Sequence, residues 1–536
     1  MIRKFIDKLL GKSAPTEGDA PVKGGRAPRI PLGKRVEVPA SEHGIDPSLL
    51  DDRAVRVVAT LQDAGYEAYI VGGAVRDLLV GMRPKDFDVA TNATPEQVKG
   101  LFRRAFIIGR RFRIVHVIHG RGRDHEVIEV STFRAYMDNA AAEQVEGNEK
   151  TSRDEIAGKS HVVDASGRVL RDNVWGPQIE DAARRDFTVN AMYYDPRSQT
   201  LVDYHQGLKD GKAKLLRMIG DPETRYREDP VRIIRVVRFA AKLGFTIEPK
   251  TQKPLRAMAA LLSNVPASRL FDEMIKLLQT GHSLASLAEL KKQGLDRGVF
   301  PVLDAVLANA PAGGEREKFV HLALADTDRR VNEGKAVAPS FMLACMLWHD
   351  VQAGWTRLRE AGEHTMPALS QAIDAVFDAR IGDISGRGKL ATDMREIWMM
   401  QPRFERRSGT APYGLVDQPR FRAGFDFLRL RADAGEVASE FAEWWEDFSL
   451  GDDAEREALV EAVRESGKGT ARPGGRPRRS AEPRAAADMP ARPAPAETES
   501  GDAAEAPRKR RRRRRKPAGG RGGEPGAAPP AGDHGE

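Results

Sequence analysis

A glycine pair followed by two spaced aspartates constrains this chain more than any other feature. The apolar run 68–71 leads into Gly72 and Gly73, and Asp86 and Asp88 follow a short segment later. Glycines leave room for backbone N–H groups to approach phosphate oxygens. Aspartates two apart on a strand point to one face, where they can hold Mg²⁺ ions that also bind substrate phosphates. This order predicts a phosphate-binding turn and a two-metal site for phosphoryl or nucleotidyl transfer.

Further carboxylates and arginines extend this candidate site. Glu129 lies in the strand-like run 127–133, from which it could supply a third carboxylate. The adjacent Arg184 and Arg185 suit triphosphate oxygens, because guanidinium groups bind them through paired hydrogen bonds. Asp186 follows directly and could accept from a ribose hydroxyl or complete the acidic cluster. Glu129 and Asp186 therefore remain alternatives for the third carboxylate.

A later segment, 227–240, offers a pair of groups that could recognise a base. Asp229 is placed to cap a helix that starts at Pro230, with Arg232 one turn further on. For adenine, the carboxylate would accept from the amino group while the guanidinium donates to the neighbouring ring nitrogen. The alternative is a surface helix cap with an i,i+3 ion pair.

These segments, taken in order from about residue 69 to 245, resemble the nucleotidyltransferase superfamily of poly(A) polymerases and tRNA CCA-adding enzymes. The run 107–117, with Gly109, Arg110, Arg111 and His116, resembles the signature of bacterial poly(A) polymerases. CCA-adding enzymes tend to carry a Gly/Thr-rich variant there. The Arg-rich segment 420–428 resembles the C-terminal region of bacterial poly(A) polymerases, and basic residues interleaved with aromatic ones also suit RNA on physical grounds.

The resemblance implies template-independent addition of AMP from ATP to RNA 3′ ends, with release of pyrophosphate. Asp86 and Asp88 would hold Mg²⁺, or Mn²⁺ in its place, and Glu129 or Asp186 would complete the catalytic set. A CCA-adding tRNA nucleotidyltransferase and an RNA-binding protein without catalysis are the alternatives. The nucleotide would be bound by Gly72, Gly73, Arg76, Asp77, Arg184, Arg185, Asn190, Glu228, Asp229, Arg232, Arg235 and Arg238.

The RNA is expected to meet basic residues along the whole chain. The chain's formal net charge of +8 is matched by the excess of basic residues in the tail 467–536. Such a run binds phosphates without sequence preference. The expected RNA-binding residues are Arg110, Arg111, Arg113, Arg420, Arg422, Arg508, Arg510 and Arg511.

The fold expected is α+β: a nucleotidyltransferase head with a small mixed β-sheet, an all-helical neck and body, and disordered termini. The segments are a flexible arm at 1–44, the head at 45–215, the neck at 216–275, the body at 276–465 and the tail at 466–536. The single cysteine excludes an intramolecular disulfide and fits the reducing cytoplasm.

Partners follow from the same features. RNA 3′ ends are the expected substrate, the RNA-decay machinery is a further expected partner, and the protein is expected to be a monomer. No apolar run approaches a membrane span, so no stable insertion is expected. An amphipathic N-terminal helix could make weak peripheral contact with a membrane.

Overall fold

The computed structural model describes residues 32–109, 113–120, 125–135, 173–308, 313–380 and 388–466, together with the backbone of three short strands between residues 143 and 172. Several residues expected to bind RNA lie outside this part of the chain, as does the N-terminal helix. They are Arg110, Arg111, Arg508, Arg510 and Arg511.

Most of the strands build one mixed sheet in the head, as the sequence predicts. Its strand order is β1-β11-β10-β2-β3-β6-β5-β4, and only the β3–β6 pair is parallel. β7, β8 and β9 form a second sheet, and β12 pairs with β13. The strands are β1 (Val36–Val38), β2 (Ala68–Val71), β3 (Asp88–Thr91), β4 (Ala105–Ile108), β5 (Ile114–His119), β6 (Glu126–Thr132), β7 (Glu143–Val145), β8 (His161–Asp164), β9 (Val169–Asp172), β10 (Met192–Asp195), β11 (Thr200–Asp203), β12 (Leu215–Leu216) and β13 (Thr246–Ile247).

Part of the segment expected to be a flexible arm is regular structure. β1 pairs with β11 as an edge strand, so the arm predicted over 1–44 does not extend to residue 44. The prediction was wrong there because three residues of strand give too short a pattern to recognise. The helices of the head are α1 (Ala40–His43), α2 (Asp52–Asp63), α3 (Gly73–Leu79), α4 (Pro95–Leu101), α5 (Gln178–Arg184) and α6 (Gly207–Lys212).

The head helices cover the two faces of the sheet unequally. Alternate strand residues such as Val89, Val115 and Val130 are buried in a core that includes residues of α2, α3 and α4. The opposite face is covered over only part of its width, by an aromatic cluster that includes Tyr193 and Ala182 of α5. Among the described residues, helices therefore cover one face of the sheet, and the aromatic cluster covers part of the other face.

Apart from β13, the regular elements described after β12 are helices. The helices are α7 (Pro222–Glu228), α8 (Val231–Leu243), α9 (Pro249–Gln252), α10 (Leu255–Met258), α11 (Ala267–Leu278), α12 (Ser283–Lys292), α13 (Pro301–Ala308), α14 (Glu315–Asn332), α15 (Pro339–Glu360), α16 (Thr365–Ala379), α17 (Gly388–Met400), α18 (Ala411–Val416), α19 (Phe421–Ala434), α20 (Ser439–Leu450) and α21 (Asp453–Ser466).

The neck and body share one hydrophobic core. Apolar residues of α8, including Ile233 and Val237, belong to the same buried cluster as Trp348 of α15 and Phe427 of α19. A separate cluster around Trp445 closes the C-terminal end. Neck and body are thus packed together more closely than their separate sequence patterns suggest.

Within the described ranges, the helices are all too short or too polar to cross a lipid bilayer.

A matched pair of glycines in α6 tests the packing of the head. At Gly207, an added Cβ would overlap the carbonyl oxygen of Thr188, which is backbone and cannot move cheaply. At Gly211, on the same helix, the space is open. We expect Gly207→Ala to lower the free energy of unfolding by about 1–3 kcal/mol. Gly211→Ala should raise it by about 0.5–1 kcal/mol, because alanine favours helix.

Denaturant titration of both variants measures the difference. Equal effects at the two positions would contradict the described approach of α6 to Thr188.

Candidate active site

The glycine pair lies in a tight turn between a strand and a helix. Gly72 lies between β2 and α3 with φ +75° and ψ −128°, a region that side chains disfavour. A Cβ on Gly72 would lie 3.4 Å from the Arg185 guanidinium, and one on Gly73 would lie 3.5 Å from that of Arg76. The turn therefore brings open backbone next to two cationic side chains.

The aspartate pair lies beside Glu129 on the parallel neighbour strand. Asp88 opens β3 directly opposite Glu129 of β6, and Asp86 precedes the strand by two residues. All three line a cavity of about 620 Å³, together with Lys85 and His116. His116 Nε2 lies 3.2 Å from Glu129 Oε1. The predicted aspartates and one of the two candidate third carboxylates thus share a cavity.

The pKa of Asp88 is raised to about 6, although the residue opens onto the cavity. Protein atoms packed around this carboxylate are the largest cause. The charges of Glu129 and Asp86 add to the effect, and that of Arg185 opposes it. Excess negative charge of this kind favours a bound cation. Among the residues that the structure describes, however, no group of three or more carboxylate, His or Cys ligands is gathered as a complete metal site.

Arg185 is held in place by groups that sequence reasoning did not select. Its guanidinium lies 3.1 Å from Asp181 Oδ2 and 3.3 Å from the Tyr193 hydroxyl. Tyr193 in turn donates to the same Asp181 oxygen at 2.7 Å. The i,i+4 spacing of Asp181 and Arg185 on α5 is the sequence signal that could have revealed this pair.

Asp186 has a different setting from Glu129. Arg235 of α8 donates to Asp186 Oδ2 from Nε at 2.9 Å and from Nη2 at 2.5 Å, and the Asn190 amide donates to Oδ1 at 3.1 Å. Burial alone would raise the pKa of Asp186, but the charge of Arg235 and the hydrogen bonds lower it to about 2. Asp186 is therefore a neutralised, buried carboxylate that ties the head to the neck.

Three arginines surround the ring of Phe239 on α8. Arg76, Arg235 and Arg238 lie 5.3, 5.4 and 4.6 Å from its centroid. Arg76 also donates to Asp77 at 2.7 Å and to the Asn190 side chain at 2.7 Å. Cation–π contact steadies each guanidinium without neutralising it.

The predicted base-recognition residues have charged partners. Both oxygens of Asp229 accept from Arg269 of α11, at 2.7 and 2.8 Å. Arg232 contacts Glu228 at 3.0 Å and donates to the Arg225 carbonyl oxygen at 2.9 Å. Arg269 was missed because it lies forty positions further along the chain, and the sequence shows no signal that links it to Asp229.

Buried Arg225 connects the base-recognition segment to the arginine pair. It donates to Glu228 at 2.7 Å, and to the carbonyl oxygens of Arg184 and Arg185 at 2.6 and 2.7 Å. Only 1% of its surface is exposed, and its hydrogen bonds hold the two segments together inside the protein. Sequence reasoning missed it because a single arginine among several gives no sign of burial.

The described residues expected to bind RNA are engaged in ion pairs. Arg113 pairs with Glu96, Arg420 with Asp393 at 2.6 Å, and Arg422 with Asp426 at 3.0 Å. Arg422 keeps 47% of its side chain exposed and could still reach a phosphate.

The raised pKa of Asp88 predicts how stability varies with pH. Because its pKa rises from 3.8 to about 6 on folding, the ionised form destabilises the folded protein above about pH 6, and this cost vanishes below about pH 4. We expect Asp88→Asn to raise the melting temperature near pH 8 and to leave it unchanged near pH 4.

Asp51, which lines the same cavity, is a control of opposite sign. Its bond to Arg53 is the largest cause that lowers its pKa, to about 2. Asp51→Asn should therefore lower the melting temperature near pH 8. An Asp88→Asn variant that is less stable than the wild type near pH 8 would contradict the raised pKa of Asp88.

Comparison with known proteins agrees with this geometry. Three family models match: the poly A polymerase head domain at residues 68–217, the probable RNA and SrmB-binding site of polymerase A at 244–307, and the polymerase A arginine-rich C-terminus at 361–485.

Curated relatives extend the match over most of the chain. The Haemophilus influenzae protein named poly(A) polymerase I is 41% identical, over 79% of this chain and 90% of its own length. That of Salmonella typhi is 38% identical, over 79% and 88%. A CCA-adding enzyme of Lactobacillus helveticus is 35% identical, over only 43% of this chain and 51% of its own. The chain therefore belongs to the family of bacterial poly(A) polymerases.

Proposed function

We propose that this protein adds AMP from ATP to the 3′ ends of RNA without a template and releases pyrophosphate. The observation that carries the proposal is the pairing of Asp88 with Glu129 in one cavity, beside a glycine turn flanked by arginines. The relatives that match most of the chain are named poly(A) polymerase I.

Asp86 and Asp88 are the proposed ligands for Mg²⁺, or for Mn²⁺ in its place. The bound ions would activate the RNA 3′-hydroxyl and stabilise the charge on the leaving pyrophosphate. The raised pKa of Asp88 is consistent with this role, because a cation would offset both the burial of the charged carboxylate and its repulsion by Glu129 and Asp86. These two carboxylates leave coordination positions for water and phosphate, as Mg²⁺ sites commonly do.

Glu129 fits the third-carboxylate role better than Asp186. Glu129 lies next to Asp88 in the sheet, whereas both oxygens of Asp186 are occupied by Arg235, Asn190 and backbone. We assign Asp186 a positioning role: it holds Arg235 and joins the neck to the site.

The triphosphate is proposed to lie across the glycine turn. Backbone at Gly72 and Gly73 approaches the phosphates, and the guanidinium groups of Arg76 and Arg185 lie beside it. Since Asp77 and Asp181 orient these arginines beforehand, less conformational entropy is lost when the nucleotide binds. Arg184 and Arg238 complete the cationic surroundings, and Asn190 adds a neutral amide that accepts from Arg76.

Asp229 and Arg232 are proposed to select adenine. Arg269 binds both oxygens of Asp229, and a carboxylate has more accepting positions than one bidentate arginine uses, so the amino group of the base can join this site as a further donor. Because Arg269 and Glu228 fix the two groups from outside, the site presents one donor–acceptor pattern. A rigid pattern favours a single base over a site that adapts to two.

CCA addition to tRNA is the second candidate function. A CCA-adding enzyme matches this chain at 35% identity, but over less than half of its length. The family model of the arginine-rich C-terminus matches this chain, and the poly(A) polymerase relative matches it through the body. Both matches favour poly(A) synthesis. Contact with the RNA-decay machinery and a cytoplasmic location remain part of the proposal.

Separate assays with each nucleoside triphosphate test the function. With Mg²⁺ and a generic RNA, we expect long extension with ATP and little with CTP, because Asp229 and Arg232 match adenine. Denaturing gels of the products measure length and composition. Products that stop after two cytidines and one adenosine, made only on tRNA-like ends, would assign the chain to CCA addition.

Asp86→Ala is the control for the metal site in the same assay. It should retain less than about one hundredth of the wild-type rate, a barrier increase of about 3 kcal/mol. A variant above that level would refute the metal-binding role of Asp86.

Removal of Arg269 tests base selection. We expect Arg269→Ala to free the Asp229 carboxylate and to reduce the preference for ATP over CTP by roughly tenfold, or about 1.4 kcal/mol, with a smaller change in ATP affinity. Competition between the two nucleotides, followed as kcat/KM ratios, measures the effect.

Arg227→Ala is the matched control, since this exposed neck arginine makes only a 3.8 Å contact with Glu223. Unchanged selectivity in Arg269→Ala, or an equal loss in both variants, would contradict the positioning role of Arg269.

A further inference from the structure

One row of cross-strand partners runs over the full width of the head sheet. In strand order from β1 to β4 it consists of Glu37, Val202, Tyr193, Val71, Asp88, Glu129, His116 and Phe106. Directly paired residues point to the same face of a sheet. The metal-site aspartate thus shares a face with every other member of the row.

Asp88 marks a border within this row. On one side, Val71, Tyr193 and Val202 are buried in the aromatic cluster that includes residues of α5. On the other side, Glu129 is 51% exposed and Phe106 is 57% exposed, while His116 between them is half-buried. An exposed aromatic ring offers a flat face on which a nucleic-acid base can stack.

The exposed ring is continuous with the site of chemistry. Neighbouring strands lie about 4.8 Å apart, so Phe106 lies roughly 14 Å from Asp88 along the row. Under the proposed function, the RNA 3′-hydroxyl must reach Asp88 itself. The nucleotides just before it must then pass over a neighbouring surface within this distance.

The charges of the open half favour bases over phosphates. Its described members are Glu129, His116 and Phe106, with Val127 also exposed on β6; none of these four is a lysine or arginine, and the lysine of the same cavity, Lys85, adjoins Asp86 in the chain rather than Phe106. A carboxylate repels phosphate oxygens, whereas an aromatic ring stacks on any base. An RNA strand lying here would therefore turn its bases toward the sheet and its backbone away.

We propose that the open half of the sheet is a stacking platform for the RNA primer, with Phe106 under a base a few nucleotides before the 3′ end. This inference rests on the proposed function, since it takes RNA as the substrate at Asp88. The platform can bind a primer of any sequence, because every base has a flat face that stacks on an aromatic ring. It adds a subsite for the acceptor strand that is separate from the nucleotide-binding arginines.

Binding of labelled oligoadenylates without ATP tests the platform. We expect Phe106→Ala to weaken the affinity for a long oligoadenylate by roughly tenfold, and Phe106→Tyr to retain it. Binding and KM of a dinucleotide primer, which is too short to reach the ring, should not change. The KM for ATP should also stay unchanged.

Val36→Ala is the matched control, because Val36 is 50% exposed on β1, the other edge strand of the same sheet. An unchanged affinity of Phe106→Ala for long RNA would overturn the platform and leave the ring for contact with a protein. An equal loss with the dinucleotide, or in Val36→Ala, would also overturn it. A wild type that binds RNA through Phe106 yet transfers no AMP would refute the proposed function and leave the platform intact.

Discussion

The parallel pairing of β3 with β6 is the constraint on which the rest of the site depends. It sets Asp88 against Glu129 on adjacent strands, where their negative charges repel each other. Such repulsion lowers the stability of the folded protein. It is tolerated at functional sites, and the cation proposed to bind here would offset it. The neighbouring arginines are kept out of direct ion pairs with these carboxylates by partners of their own, such as Asp181 for Arg185.

The residues proposed to bind the nucleotide depend on contacts between head and neck. Asp186 in the head binds Arg235 in the neck, and Arg225 donates to the backbone of the Arg184–Arg185 pair. These are buried, charge-assisted hydrogen bonds, which are expensive to break because a charged group is then left without a partner. The groups proposed to bind the phosphates and those proposed to bind the base are therefore positioned relative to one another by the same few bonds.

Local features of the site could be predicted from the sequence, whereas distant pairings could not. The glycine turn at Gly72 and the position of Asp88 at the start of a strand follow from short patterns. The choice between Glu129 and Asp186 needed strand register, which depends on which strands become neighbours. The partner of Asp229 was beyond prediction, because Arg269 reaches it only after α8 and α11 have packed.

The shared core of neck and body has a consequence for how the chain can be divided. Since α8 buries its apolar face among body helices, a fragment that ends after the neck would expose that face to water. The base-selecting segment, carried at the start of α8, would then lose the support that fixes its geometry. Neck and body are accordingly one cooperative folding unit, and the smallest autonomous form of this enzyme must include helices far from the chemistry.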